Sequence, residues 1–201
     1  MHKRSYYMVN GITFYRLIAA PFLLFLAFSE QLVWFKCLLA FSFLTDAVDG
    51  FLARKYRVVS IMGAKMDSVA DDLTVLVALV GLFLYHREFV FREYHWMLIL
   101  LILFLLQVSA ALIRYRKLTS FHTYLAKVAA VAQALFLISS FFLKSPSLLL
   151  FYLSIVLTAA DLVEETIMVW LLPNWQADVK GIQEALRFRR GENQSRRDPE
   201  N

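Results

Sequence analysis

The sequence predicts an all-α integral membrane protein of six transmembrane helices with a candidate active site at its cytoplasmic edge, and three observations carry that prediction. Of 201 residues, 60% are hydrophobic and 18 are Phe, well above the apolar share of soluble chains. Apolar segments close to the ~20 residues needed to cross hydrocarbon recur six times, at Ile12–Phe28, Leu32–Ala53, Gly63–Tyr85, Trp96–Ile113, Ala126–Leu143 and Leu148–Leu172. The cations, finally, gather on alternate connections.

With six spans both termini share one side. That side receives Lys3 and Arg4, then Arg54, Lys55 and Arg57, then Arg114, Arg116 and Lys117, then Lys180, Arg187, Arg189, Arg190, Arg196 and Arg197. The other side receives only Lys36, Arg87, Arg92 and Lys144. The positive-inside rule therefore makes both termini cytoplasmic in a multi-pass protein of the cell (inner) membrane. The net charge of +5 is a topology signal, and nucleic acid is excluded as a partner because the basic residues follow membrane edges with no aromatic-interleaved groove.

In chain order, a polar lead, Met1 to Gly11, precedes a first span carrying Thr13, Arg16 and Pro21, the last a candidate kink. His2, Lys3 and Arg4 before an apolar run imitate a signal peptide, but five later spans favour a retained helix. The second span contains the lone Cys37, read as a small packing residue, since one cysteine forms neither a disulfide framework nor a cysteine metal site. His86 to His95 is expected to be a mixed-charge outer loop, and Trp96 to Ile113 an almost uniformly apolar, lipid-facing scaffold. Gln107, Ser109, Gln133, Ser139 and Ser140 are expected to bridge helices by hydrogen bonds. The sixth span is interrupted by Asp161, Glu164 and Glu165. Pairing with Arg16 or Lys127 is their first expected role, with an acceptor contact or a homodimer contact as alternatives. Beyond Pro173, Val179, Ile182 and Leu186 at helical spacing predict a short interfacial helix, and Gly191 to Asn201 a disordered end. The expected domains are thus 1–172 in the membrane and 173–201 as a cytoplasmic tail.

The costly feature is the stretch TDAVDGFLARKYRVVSIMGAKMDSVAD, in which four carboxylates interrupt apolar runs. At about 100° per residue Asp46, Asp49, Gly50 and Ala53 share one face of the second helix, while Asp67 and Asp71 share a face of the third. If those faces oppose one another, four carboxylates converge and repel unless protonated or bridged by cations. An all-oxygen set suits Mg²⁺, Mn²⁺ or Ca²⁺, and paired divalent ions are a means of holding a phosphoryl group. Gly50, Ala53 and Gly63 either admit a ligand or only permit helix packing. Arg54 and Lys55 either neutralise a phosphate or snorkel to the interface. Arg16, Lys65 and Lys127, at or within span edges, either face a cavity or snorkel.

These residues form D-x2-D-G-x2-A-R-x8-G-x3-D-x3-D, and in all eight fixed positions the stretch resembles the CDP-alcohol phosphotransferase (CDP-alcohol phosphatidyltransferase) family. The resemblance implies a membrane phospholipid-synthesising transferase that moves a substituted phosphate from CDP-diacylglycerol to an alcohol acceptor and releases CMP. It implies two divalent metal ions, Mg²⁺ or Mn²⁺, on Asp46, Asp49, Asp67 and Asp71, with Asp71 as base. Gly50, Ala53, Arg54 and Gly63 would line the CDP site. The first span, NGITFYRLIAAP, resembles bacterial phosphatidylglycerophosphate and cardiolipin synthases, which makes glycerol 3-phosphate the expected acceptor. Phosphatidylglycerol, an inositol phosphate or serine are alternatives. Those enzymes commonly carry lysine where this chain has Asp72.

For acceptor binding the candidates are Arg16, then Arg114, Arg116 and Lys117 within the segment RYRKLTSFHTY, which also holds His122, and Lys127 just beyond it. Contacts to lipid headgroups are the alternative for the loop cations, and an interface hydrogen bond for His122. The rival function is a polytopic ion-coupled transporter, whose acids would be expected near the bilayer midplane and whose halves would often be related. Here the motif acids cluster at one edge and no half-repeat is evident.

Overall fold

The computed structural model describes the backbone of residues 2–56, 61–117, 119, 121, 123–176 and 179–188, and within these the side chains of 14–45 and of 69 onward. Regular structure among the described residues is entirely helical. The helices are α1 (His2–Phe28), α2 (Leu32–Tyr56), α3 (Ile61–Tyr85), α4 (Arg87–Tyr115), α5 (Tyr124–Phe142) and α6 (Leu148–Leu171), with a seventh, α7, at 182–188. Of these, α4 and α5 are long and apolar enough to cross a membrane by length and composition, and apolar stretches also occupy Phe14–Phe28 and Leu32–Thr45. Packing divides the chain into two units, Met1–Phe91 with Leu137–Ser147, and Arg92–Phe136 with Leu148–Asn201.

In the first unit α1 packs against both α2 and α3. Arg16, Ala19, Ala20, Leu23, Leu26 and Ala27 recur every three or four residues along its buried stripe, while Phe14, Ile18, Phe22, Phe25 and Phe28 lie exposed on the remainder. The facing stripe of α3 is Ala70, Thr74, Val77, Ala78 and Leu82. Alanines on both sides bring the backbones close, which is how helices gain contact where the surroundings supply no hydrophobic drive. Two ties set the direction. The Arg16 guanidinium pairs with the Asp71 carboxylate, and further along both helices the Tyr85 hydroxyl donates to the Ala27 carbonyl at 3.2 Å. Helices α1 and α3 therefore run parallel, and α2 carries the chain back between them.

The α1–α2 turn is made by three residues. The Gln31 N–H reaches the Leu26 carbonyl at 3.0 Å and the Glu30 N–H the Ala27 carbonyl at 3.3 Å, with Glu30 at φ 57°. This is a Schellman termination with glutamate where glycine usually sits. Gly81 has a firmer reason to be glycine. A Cβ built on it would lie 2.5 Å from Phe35 Cζ, so hydrogen at that position lets the fully buried Phe35 ring seat on the α3 backbone, edge-on to Phe141 at 5.0 Å.

In the second unit a cluster of Ala111, Phe121, Met168, Val169, Leu172, Val179 and Ala185 joins the end of α4, the end of α6 and α7. The α6 C-terminus is capped from α4: Arg114 Nη2 donates to the Leu172 carbonyl at 2.9 Å, and the Tyr115 hydroxyl lies 2.7 Å from the Val169 carbonyl and 2.8 Å from that of Leu172. These are the carbonyls a helix end leaves without partners. At the start of α5, Thr123 Oγ1 accepts the Ala126 N–H at 2.8 Å as an N-cap.

Three expectations change. The polar lead is helical, since α1 begins at His2. His86 to His95 is not an outer loop, because α4 starts at Arg87. With no Gly or Pro to stop it, that segment buries Phe89 and Glu93 and keeps its other charges outward. Glu93 is satisfied by the Tyr152 hydroxyl at 2.9 Å and by Arg92 Nε at 3.0 Å. Cys37 is exposed rather than packed, on the same outward face as Val33, Trp34, Phe41 and Leu44. Pro21 lies within a helix that continues through it. Near the C-terminus α7 starts only at 182, after Val179; Val179 and Ala185 are buried and Leu186 is exposed, and the segment 191–201 lies outside the described residues.

Candidate active site

The backbone places the motif symmetrically about the α2–α3 connection. Asp46 precedes the last residue of α2, Tyr56, by 10 positions, and Asp71 follows the first residue of α3, Ile61, by 10, about 15 Å of helix in each case. Asp49, Gly50, Ala53 and Arg54 lie within α2, and Gly63 and Asp67 within α3. The side chains of Asp46, Asp49, Ala53, Arg54 and Asp67, and the surroundings of Gly50 and Gly63, lie outside the described residues, as does the side chain of Lys65. Among the described residues no group of three or more His, Cys, Asp and Glu could hold a metal ion.

Asp71 is described, and its setting is specific. It lies one residue from the buried Ala70 and three from the buried Thr74, whose hydroxyl donates back to the Ala70 carbonyl at 2.8 Å. Arg16, on the α1 stripe, is only 1% exposed, whereas the Asp71 side chain keeps 42% of its surface. The pair thus has a buried cationic end and an open anionic end. A guanidinium alone in this apolar seam would be costly, and the carboxylate offsets that cost. Neighbouring Asp72 is exposed.

The three acids of α6 find neutral donors within their own unit. Asp161 accepts from Thr123 Oγ1 at 3.2 Å, Glu165 from Gln107 Nε2 at 2.8 Å, and Glu164 from the Ile182 N–H at 3.3 Å. Gln107 also reaches Thr119 at 2.7 Å. The expected bridging by Gln107 is present, and the described partners of these acids are hydroxyl, amide and backbone donors rather than Lys127. The buried Gln107 and Thr123 were the readable signals: an amide in an apolar span, and a threonine three residues ahead of Ala126.

The acceptor candidates are spread out. Arg114 is engaged at the α6 terminus and lies over Trp170 at 5.5 Å. Arg116 is exposed at φ 53°, ending α4. Lys117 lies over Trp175 at 5.1 Å, and Lys127, exposed, over Tyr124 at 5.4 Å. His122 lies outside the described residues. A groove lined by residues including Tyr124, Val163, Glu164, Ile167, Lys180 and Arg187 also opens in this unit; no motif residue lines it.

A family model described as CDP-alcohol phosphatidyltransferase matches residues 6–171. The chain belongs to that family. The CDP-alcohol phosphatidyltransferase segment thus takes in α1 from its second turn through to the last residue of α6. Among similar curated proteins, a CDP-diacylglycerol--glycerol-3-phosphate 3-phosphatidyltransferase of Wigglesworthia glossinidia brevipalpis is 36% identical over 81 residues, 39% of this chain and 44% of that protein. Proteins of the same name from Pectobacterium atrosepticum and Yersinia pestis are 44% and 42% identical over 73 residues, in each case 34% of this chain and 40% of the relative. The matched stretch is therefore less than half the length of each relative. No solved structure matches the chain.

Proposed function

We propose that this CDP-alcohol phosphatidyltransferase moves the phosphatidyl group of CDP-diacylglycerol onto glycerol 3-phosphate and releases CMP. The observation that carries the reading is the family match across 6–171 together with the eight-position motif inside it; the names of the relatives support the acceptor. We read the domain as 1–172, crossing the bilayer six times with both termini cytoplasmic, followed by a tail at 173–201. The exposed apolar rows of Phe14, Ile18 and Phe22 and of Leu98, Leu101 and Leu105 support a lipid environment.

In this reading the acceptor hydroxyl attacks the β-phosphorus in line, a new O–P bond forms, and the bond between the β-phosphorus and the CMP oxygen breaks. Asp71 accepts the hydroxyl proton, which its open carboxylate supports. Asp46, Asp49, Asp67 and Asp71 form an all-oxygen donor set suited to two Mg²⁺ or Mn²⁺ ions, which would neutralise the pyrophosphate. Gly50, Ala53 and Gly63 leave room for the cytidine diphosphate and Arg54 offsets its charge. Arg116, Lys117 and Lys127 are the exposed cations for the acceptor phosphate, and Arg114 would have to loosen its hold on Leu172 to join them.

The experiment is CMP release by purified protein given CDP-diacylglycerol, Mg²⁺ or Mn²⁺, and in turn glycerol 3-phosphate, phosphatidylglycerol, an inositol phosphate and serine. CMP release dependent on glycerol 3-phosphate is expected. Release with a different acceptor would replace the substrate, and none with any acceptor from folded protein would remove the enzyme reading in favour of a transporter.

A further inference from the structure

The cation in α1 has a partner that its position in the sequence does not reveal. Arg16 falls on the buried stripe that packs against α2 and α3, and among the described residues it is the largest fully buried side chain. Its guanidinium meets the Asp71 carboxylate across 55 residues of sequence. That contact lies in the closely packed seam of α1 and α3, between the Ala19 and Ala20 side of one helix and the Ala70 and Thr74 side of the other. A planar guanidinium fixed by packing presents its N–H donors in set directions, so it constrains where a bound carboxylate oxygen can point. The Asp71 side chain itself is 42% exposed. The carboxylate is therefore steered by Arg16 from its buried side.

We infer that Arg16 is a positioning residue that aims the Asp71 carboxylate at the acceptor hydroxyl, and that it does not bind the acceptor. The inference rests on the reading of Asp71 as the proton-accepting group. It also explains a buried cation in α1, which the proposed chemistry otherwise leaves without a task. Arg16 acts through Asp71, so its loss is felt in turnover and not in the affinity for either substrate.

The test measures kcat and KM separately for CDP-diacylglycerol and glycerol 3-phosphate in Arg16→Gln, Arg16→Lys, Asp71→Asn and the double variant Arg16→Gln/Asp71→Asn. Misplacing a reacting group by about 1 Å costs about 100-fold, so Arg16→Gln is expected to lower kcat by roughly that factor with both KM values within about threefold of the unaltered protein. Arg16→Lys, which keeps the charge but not the fork, is expected to recover about tenfold of the loss. In the Asp71→Asn background, Arg16→Gln should lower kcat by less than about twofold further, because residues acting as a unit are not additive. A readout independent of turnover is the melting temperature, where the two substitutions should be less than additive if the pair exists.

A raised KM for glycerol 3-phosphate with unchanged kcat would overturn the inference and make Arg16 an acceptor ligand. Unchanged kinetics in Arg16→Gln beside an inactive Asp71→Asn would also overturn it while leaving the proposed reaction intact. Full turnover in Asp71→Asn would instead remove the base assignment itself. Should Arg16→Gln fail to fold, Arg16→Lys carries the test, and a kcat equal to that of the unaltered protein would count against positioning.

Discussion

The two packing units keep carboxylates in opposite ways. In the first, Asp71 is held by a full charge, the Arg16 guanidinium, and its side chain keeps 42% of its surface. In the second, Glu93, Asp161, Glu164 and Glu165 accept hydrogen bonds from hydroxyl, amide or backbone donors, with Arg92 the one cation among their described partners. A charge-paired, half-open carboxylate suits chemistry. Carboxylates held largely by neutral donors from α4, α6, the segment before α5 and the start of α7 suit cross-linking, since each donor removes an unsatisfied polar group from an apolar setting. The difference teaches that acids in apolar helices are not one class, and that the partner's charge and the remaining exposure separate them.

The sharpest test of that contrast is metal removal. Chelation with EDTA should abolish CMP release, and Mg²⁺ or Mn²⁺ should restore it, while the circular dichroism of the helices is unchanged; activity that persists after chelation would detach the motif from metal chemistry. Next in size, Asp71→Asn should lower turnover by about 10²–10⁴-fold, the range of a general base, without a matching fall in melting temperature. If Glu165→Gln, in the second unit, caused a comparable loss with stability intact, the division of labour would be broken.

Smaller effects belong to scaffold. Gln107→Leu removes the amide from Glu165 and Thr119, and should cost about 1 kcal/mol of stability by leaving the half-buried Glu165 with only the Thr119 hydroxyl at 3.5 Å, read from thermal unfolding in detergent. Gly81→Ala sets a Cβ against Phe35 and should cost about 1–3 kcal/mol through overpacking, with kcat nearly unchanged. Smallest, Tyr115→Phe removes one hydroxyl from the α6 terminus, a loss of about 0.5–1.5 kcal/mol.

Much of the helical layout was legible because apolar runs and short polar breaks mark helix edges directly: the turn at 29–31, the break at 143–147 and the end of α6 just before Pro173 are all where composition places them. Helix starts were not legible at His2 and Arg87, because charged residues at helix ends read as loop until tertiary partners such as Tyr152 for Glu93 are known. At the site, the motif spacing identified the family. The partner of Arg16 was hidden, since nothing local distinguishes Asp71, 55 residues away, from Asp161 or Glu165 as its mate. The hydroxyl, amide and backbone donors of the α6 acids were hidden for the same reason: periodicity gives a face, whereas pairing depends on which helix covers it.

The most direct measurement of the central claim is identification of the lipid made when purified protein meets CDP-diacylglycerol, Mg²⁺ and glycerol 3-phosphate. Mass spectrometry should find phosphatidylglycerophosphate and CMP in equal amounts, with neither formed by Asp71→Asn above background. CMP without that lipid, or the lipid at undiminished rate from Asp71→Asn, would contradict the account.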